Sequence, residues 1–404
     1  MAGLNIKVRT FSDQGLFARK KISLGSKSIE TPFKAMSITN TTKNDQIRDE
    51  ARGFNEIWLN TDPQKLNKAK NTMKSPHTKK IREGLNKSKE GEFNLIFADY
   101  KATQEITDEN IKFLADMIYS NSDIVPVPLM SKFYDAVRDS NQGTMSKYWS
   151  IYKKNTRKFI KAVRQINGKP IMGVLPYLPW SFVQQMVNFY LDEGIRCFAF
   201  DFNARTVTSH TQITNMVQPL IREIANRNLQ EEVFFYSLNA NKGRSSGSRD
   251  FVPPKDYLSL GVGFDVLGEK HKSLPMHPDV LAKMDDSKPK FRMFSRENYY
   301  YKDFDIESIL EKQIPQETGL NRSRVVKRLQ TNNNTKYKYQ ALLNAEQQSM
   351  ENKVLRTVID EQRVGEHVKA KTGVTDNQYS VLEQVKNSFD AGKTQKSLKE
   401  PDLW

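Results

Sequence analysis

The chain has 404 residues, with 63 Lys and Arg against 47 Asp and Glu, a formal net charge of +16. Hydrophobic residues make up 37% and aromatics 10%, enough for a sizeable core and too much for a disordered chain. No apolar run reaches the roughly 18 residues of a membrane span, the single cysteine (Cys197) excludes an intrachain disulfide and a thiolate-built zinc site, and the first residues hold no apolar signal core. The expected setting is a reducing cytoplasm.

Short apolar, β-rich runs recur along the chain. They cover 29–37, 56–60, 94–100, 123–129, 170–177, 196–203, 233–239 and 261–267. Amphipathic stretches lie between them at 108–119, 145–165, 181–193 and 211–227, where Val183, Met186, Val187 and Tyr190 share one helical face. Such alternation predicts parallel α/β architecture, and eight strands fit a (β/α)8 TIM barrel over 1–306. No Gly-x-Gly-x-x-Gly or Walker loop supports a nucleotide-binding sheet instead. Residues 62–92 are Lys- and Asn-rich and read as a solvated crossover or insertion. Residues 241–256 read as a mobile basic loop at the barrel mouth. After about 306 the strand signal stops, and a basic, mostly helical region is expected over 307–404. Within it, 340–366 reads as a long helix with an apolar stripe of Leu343, Met350, Val354, Leu355, Val358 and Ile359, and 391–404 as a charged, disordered end.

The surplus of positive charge favours a polyanionic partner, above all nucleic acid, through counterion release. Solubility alone is the competing explanation. In a (β/α)8 barrel the strand C-termini carry the chemistry. That filter selects Asp99, Asp201, Asn203, Asn239 and Asp265. Paired carboxylates can divide into a nucleophile and a general acid/base, although an Asp at a strand end can equally cap the following helix. Histidines 271 and 277 lie in a Gly/Pro-containing stretch that does not form a helical metal pair, so no metal is expected. His271 reads as a surface or substrate contact. No Gly-x-Ser-x-Gly elbow is present.

Four segments in order give a family resemblance: Gly25-Ser-Lys-Ser-Ile-Glu-Thr-Pro-Phe, Ile96-Phe-Ala-Asp99, Ile171-Met-Gly-Val-Leu-Pro and Gly263-Phe-Asp265-Val-Leu, with 339–360 similar to a closing helix. Together they resemble the tRNA-guanine transglycosylase superfamily over most of 20–365. The family's zinc-binding thiolates are missing. Its Asp-Ser-Gly-Gly-Phe run stands here as Asp99-Tyr-Lys-Ala-Thr, and its Gln-Gly-Gly and Pro-Thr-Arg stretches as Leu175-Pro-Tyr-Leu and Gly268-Glu-Lys-His. The carboxylate that reads the guanine edge has no counterpart near Val127-Pro-Leu-Met. These departures make the chain most similar to the DNA-modifying paralogues, which place 7-deazaguanine derivatives in DNA.

The resemblance implies a pentosyltransferase that exchanges guanine in DNA for a 7-deazaguanine base such as preQ0. Asp265 would attack C1′ and hold the polymer as an ester, and Asp99 would act as general acid/base. Tyr100 or Tyr177 would stack on the base, with Asp201, Asn203 and Asn239 reading its edge. The base would be flipped out or offered single-stranded. Lys242, Arg244, Arg249, Lys270, His271, Arg322, Arg324, Lys327 and Arg328 would meet nucleic acid, chiefly its phosphates. No cofactor is required, because one glycosidic bond replaces another. The alternatives are a tRNA-guanine transglycosylase, a catalytically inactive nucleic-acid-binding accessory subunit, or an unrelated barrel enzyme for a small anionic metabolite. A homodimer or accessory protein partners fit the resemblance, and no membrane association is expected.

Overall fold

The computed structural model describes residues 3–72, 75–139, 141–166, 168–243, 251–273, 290–331 and 335–397. Among them, no helix is long and apolar enough to cross a membrane.

A mixed α/β structure is built around parallel strands. Six form one sheet in the order Phe33–Lys34, Val266–Leu267, Phe234–Leu238, Cys197–Asp201, Ile171–Leu175, Val125–Pro126. A second parallel sheet joins Met36–Ser37, Phe54–Thr61 and Phe93–Tyr100, with Phe54 opposite Phe93 and Asn60 opposite Asp99. Backbone hydrogen bonds link the sheets. Ala35, between the first strands of each, donates its amide to Leu267, and Leu129 exchanges 2.8 Å hydrogen bonds with Ala98 and Tyr100. Every residue of Ile171–Leu175, Cys197–Asp201 and Phe234–Leu238 is buried, the mark of parallel strands covered on both faces.

Strands form in each expected run, but 29–37 divides among Lys27–Glu30, Phe33–Lys34 and Met36–Ser37, and 123–129 and 261–267 shrink to two residues each. Of 261–267 only Val266–Leu267 is strand, because Tyr257–Val262 forms a 3₁₀ turn. The expected solvated crossover at 62–92 instead carries two helices, Pro63–Asn71 and Pro76–Leu85. Asp62 and Ser75 cap their first turns by accepting from Lys65 and Thr78 amides, and a proline follows each cap, where its missing N–H costs nothing. Helix Asp108–Asn121 turns Ile111, Leu114, Ala115 and Ile118 inward, at the spacing of one helical face.

Two antiparallel sheets were not foreseen. Asn5–Phe11, Ala18–Leu24 and Lys27–Glu30 form one, and Phe251–Val252, Tyr300–Asp305 and Lys290–Ser295 the other. The second draws part of the expected mobile loop into a sheet.

Beyond residue 306 the described elements are helical. The 25-residue helix Lys336–Asp360 buries Leu343, Met350, Leu355 and Ile359, while Val354 is exposed. It also buries a row of polar side chains. Asn344 bonds the amide of Phe294, Glu346 those of Arg48 and Gly319, Gln348 the hydroxyl of Tyr301, Glu351 that of Tyr299, and Asn352 that of Tyr257. Helix Asp376–Ser397 covers part of the expected disordered end, and 398–404 lie outside the described residues.

Candidate active site

The parallel strands end at a cluster of charged side chains. Asp99 follows Leu95 and Phe97 on one face of its strand, while Tyr100 alternates to the other. Asp99 is fully buried and accepts from the amide and hydroxyl of Ser131 at 3.1 and 3.0 Å, and from Lys101 at 2.5 Å. Asp201, the last residue of its strand, is equally buried and accepts from Asn239 Nδ2 at 2.8 Å and the Asn203 amide at 3.0 Å. One ammonium joins them. Lys272 Nζ stands 2.6 Å from Asp201 and 3.5 Å from Asp99.

Burial acts to raise the Asp99 pKa, but Lys272 and Lys101 outweigh it and hold the group below the ordinary carboxylate range. Burial likewise acts to lower Lys272, and the two aspartates reverse that and keep it protonated. Asp99 is therefore an ionised carboxylate with no proton to donate at neutral pH.

Beside this pair lies a second buried acid. Glu56, Trp58 and Asn60 alternate along one strand face. Glu56 Oε2 meets His271 Nε2 at 2.5 Å, while Oε1 accepts from the Glu269 amide at 3.0 Å and from the Tyr236 hydroxyl. Burial pushes Glu56 up, and the contacts to His271, Lys34 and Tyr236 bring it below its usual value. The His271 ring stacks on Trp58 with centroids 4.8 Å apart and planes at 11°. Gly268 lets the chain pass this close, since a Cβ there would lie 2.5 Å from the Tyr236 ring and 2.7 Å from Glu56 Oε1.

The cluster opens into a cavity of about 1210 Å³. Lys34, Lys242, Lys272, Lys290, Arg292 and Lys336 are among its cationic walls, with the aromatic Trp58 and Tyr337. Tyr337 is 68% exposed, with Lys336 Nζ 4.8 Å from its ring centroid.

The expected site residues divide. Asp99, Asp201, Asn239 and His271 come together, and Lys242 and Lys270 line the cavity. Asp265 does not join them. It precedes its strand, opposite Phe235 near the start of the neighbouring one, whereas Asp201 is level with the last residue, Leu238. That separates the two by roughly 10 Å along the strands. Asp265 is instead buried against Lys20 at 2.9 Å and the Phe235 amide at 2.9 Å, and burial raises its pKa.

Tyr100 is buried in the apolar core, not beside Asp99. Tyr177 has one ring face taken by Arg205, 4.2 Å from the centroid. Asn239 spends Nδ2 on Asp201 and Oδ1 on the His271 amide, so its amide is not open to a purine edge. Asn203, at φ 48°, gives its amide to Asp201. Arg322, Arg324, Lys327 and Arg328 lie on helix Arg322–Thr331 and do not line the cavity. Arg244, Arg249 and His277 lie outside the described residues.

Sequence reasoning missed Glu56, Trp58, Lys101, Ser131 and Lys272. Glu56 had a signal: a carboxylate inside an otherwise apolar strand, in phase with Trp58 and Asn60. The lysines had none, because the chain holds 63 basic residues and spacing does not distinguish these. No protein-family model matches the chain, and no curated protein matches it.

Proposed function

We propose that this chain is a transglycosylase that exchanges guanine for a 7-deazaguanine base in DNA. The observation that carries the reading is the Asp99–Lys272–Asp201 bridge, whose lysine lines a basic cavity. We further propose that the parallel strands close into a (β/α)8 barrel. In support, Phe33–Lys34 and Met36–Ser37 are two halves of one segment that pairs with Val266–Leu267 on one side and Asn55–Glu56 on the other, and Leu129 joins Ala98 and Tyr100. Placing the cluster at the strand C-termini then agrees with where such barrels act.

In this reading Asp99, held ionised, takes the nucleophile's role first expected of Asp265. Its oxygen attacks C1′, a C–O bond forms as C1′–N9 breaks, and the electron pair leaves with guanine. The entering base displaces the ester and releases Asp99. Asp201 draws Lys272 aside as substrate enters, and the cationic walls hold the phosphates. The DNA assignment rests on the resemblance to DNA-modifying relatives.

The test offers labelled guanine and preQ0 separately to duplex DNA, single-stranded DNA and tRNA, with Asp99→Asn as control and a denaturing gel to detect a protein–polymer adduct. Label and adduct with DNA, both lost in Asp99→Asn, support the reading. Label in tRNA moves the activity to that substrate. Tight binding without label in any polymer favours the accessory-subunit alternative, which the lysine-blocked carboxylates also fit.

A further inference from the structure

We propose that His271, oriented by Glu56, carries the proton exchanged with the departing and entering bases. This inference rests on the transglycosylase reading above and assigns the one role that its carboxylates leave open.

Breaking C1′–N9 sends an electron pair to guanine, which leaves readily only if a ring nitrogen gains a proton. The entering base must in turn lose a proton as its nitrogen bonds to C1′. Asp99, the expected acid/base, is tied to Lys101 and Ser131 and bridged by Lys272, so it holds no proton. Lys272 is tied to both aspartates. The Tyr236 hydroxyl donates to Glu56 and lies among fully buried groups. Lys242 faces the Tyr301 ring and Asp256, on the wall contributed by the antiparallel sheet.

His271 is built differently. Glu56, a fully buried carboxylate, already accepts from the Glu269 amide and the Tyr236 hydroxyl. An acceptor-only group facing Nε2 requires the proton on that nitrogen, which leaves Nδ1 to hold or release the second proton. Among the described residues Nδ1 has no hydrogen-bond partner, and the residue lines the cavity. Trp58 fixes the ring plane, and the backbone amide bonds Asn239 Oδ1, whose Nδ2 holds Asp201. The imidazole is thus tied into the same network as the carboxylate pair. A buried acid that orients an imidazole within such a network is a general acid/base arrangement.

The step balances. As Asp99 bonds C1′ and C1′–N9 breaks, His271 imidazolium passes its Nδ1 proton to the departing guanine and becomes neutral. The entering 7-deazaguanine base then gives its N9 proton to Nδ1 as it displaces the ester, and the imidazolium returns.

The test compares single-turnover base release from DNA carrying guanine or 7-methylguanine at the target. The methylated base is already cationic in the nucleotide and departs neutral without a proton. Wild type, His271→Asn and Glu56→Gln are measured, with melting temperature and DNA affinity as folding controls. His271→Asn is expected to slow guanine release by about 100-fold or more, the usual worth of a proton donor, while 7-methylguanine release falls less than about fivefold. Glu56→Gln should show the same selective loss, about tenfold on guanine. If that buried variant fails to fold, His271→Asn on the cavity wall decides alone. Unchanged guanine release in His271→Asn, or equal loss on both bases, overturns the assignment and leaves the transglycosylase reading standing. A wild-type protein that releases and exchanges neither base overturns both.

Discussion

Lys20 Nζ lies 2.9 Å from Asp265 and 2.9 Å from the Val233 carbonyl, with both side chains sealed from solvent at the strand starts, a strand's length from Asp99. The pair fastens the N-terminal antiparallel sheet to the parallel one. Removing one partner strands a buried charge, which typically costs about 3–5 kcal/mol. Asp265→Asn and Lys20→Met should therefore lower the urea midpoint strongly while base exchange per folded molecule persists. Loss of exchange in a folded Asp265→Asn protein would return Asp265 to the chemistry.

Acid stability carries the signature of Asp99 and Glu56. Both are held below their ordinary values of 3.8 and 4.5, so the unfolded chain binds their protons more tightly than the folded one. Their contribution is complete above that range and disappears as pH falls through the lower folded values. Asp99→Asn should flatten the loss of stability below about pH 4 in urea titrations. An unchanged acid limb would show that Lys101 and Lys272 do not hold the group as the distances imply.

Burial lowers the Lys242 ammonium to about 8, against the opposing pull of Asp256 and Glu269. Its charge is present below that pH and lost above it. Affinity for single-stranded DNA should drop between pH 7 and 9, by roughly tenfold at most for one phosphate contact. Lys242→Arg stays charged throughout and should abolish that drop at constant salt. The same fall in the arginine variant would place Lys242 outside the interface.

Salt dependence separates the two basic regions. Each single-strand phosphate contact contributes about 0.7 to the slope of log affinity against log salt. Lys336→Ala, on the cavity wall, should reduce the slope by about that amount, and Lys327→Ala, on helix Arg322–Thr331, should leave it unchanged. The reverse result would put the polymer across the helix instead of the cavity.

Most of the strand positions were legible because parallel strands buried on both faces read as unbroken apolar runs, as in Cys-Phe-Ala-Phe-Asp. Asp99 and Asp201 were legible for the same reason, each being the first charge after such a run. Asp265 looked identical on that criterion. Only the two-residue strand after it, preceded by the Tyr257–Val262 turn, places it at the start instead of the end. Lys272 was illegible because its partners lie far off in sequence: it reaches Asp201 and Asp99 across 71 and 173 positions. The helices at 62–92 were hidden by their polar composition, and the Asp62 and Ser75 caps were the signal that could have revealed them.

The helix Lys336–Asp360 works like a bolt thrown through several plates at once. Asn344, Glu346, Gln348, Glu351 and Asn352 together engage stretches of chain near Arg48, Tyr257, Phe294 and Tyr299–Tyr301. A slide or rotation of the helix would break these bonds together and leave their partners buried without mates. A cut near residue 306 would take these bonds from Arg48, Tyr257, Phe294, Tyr299 and Tyr301. Expressed alone, residues 1–306 should aggregate, because the groups this helix satisfies would be left without mates.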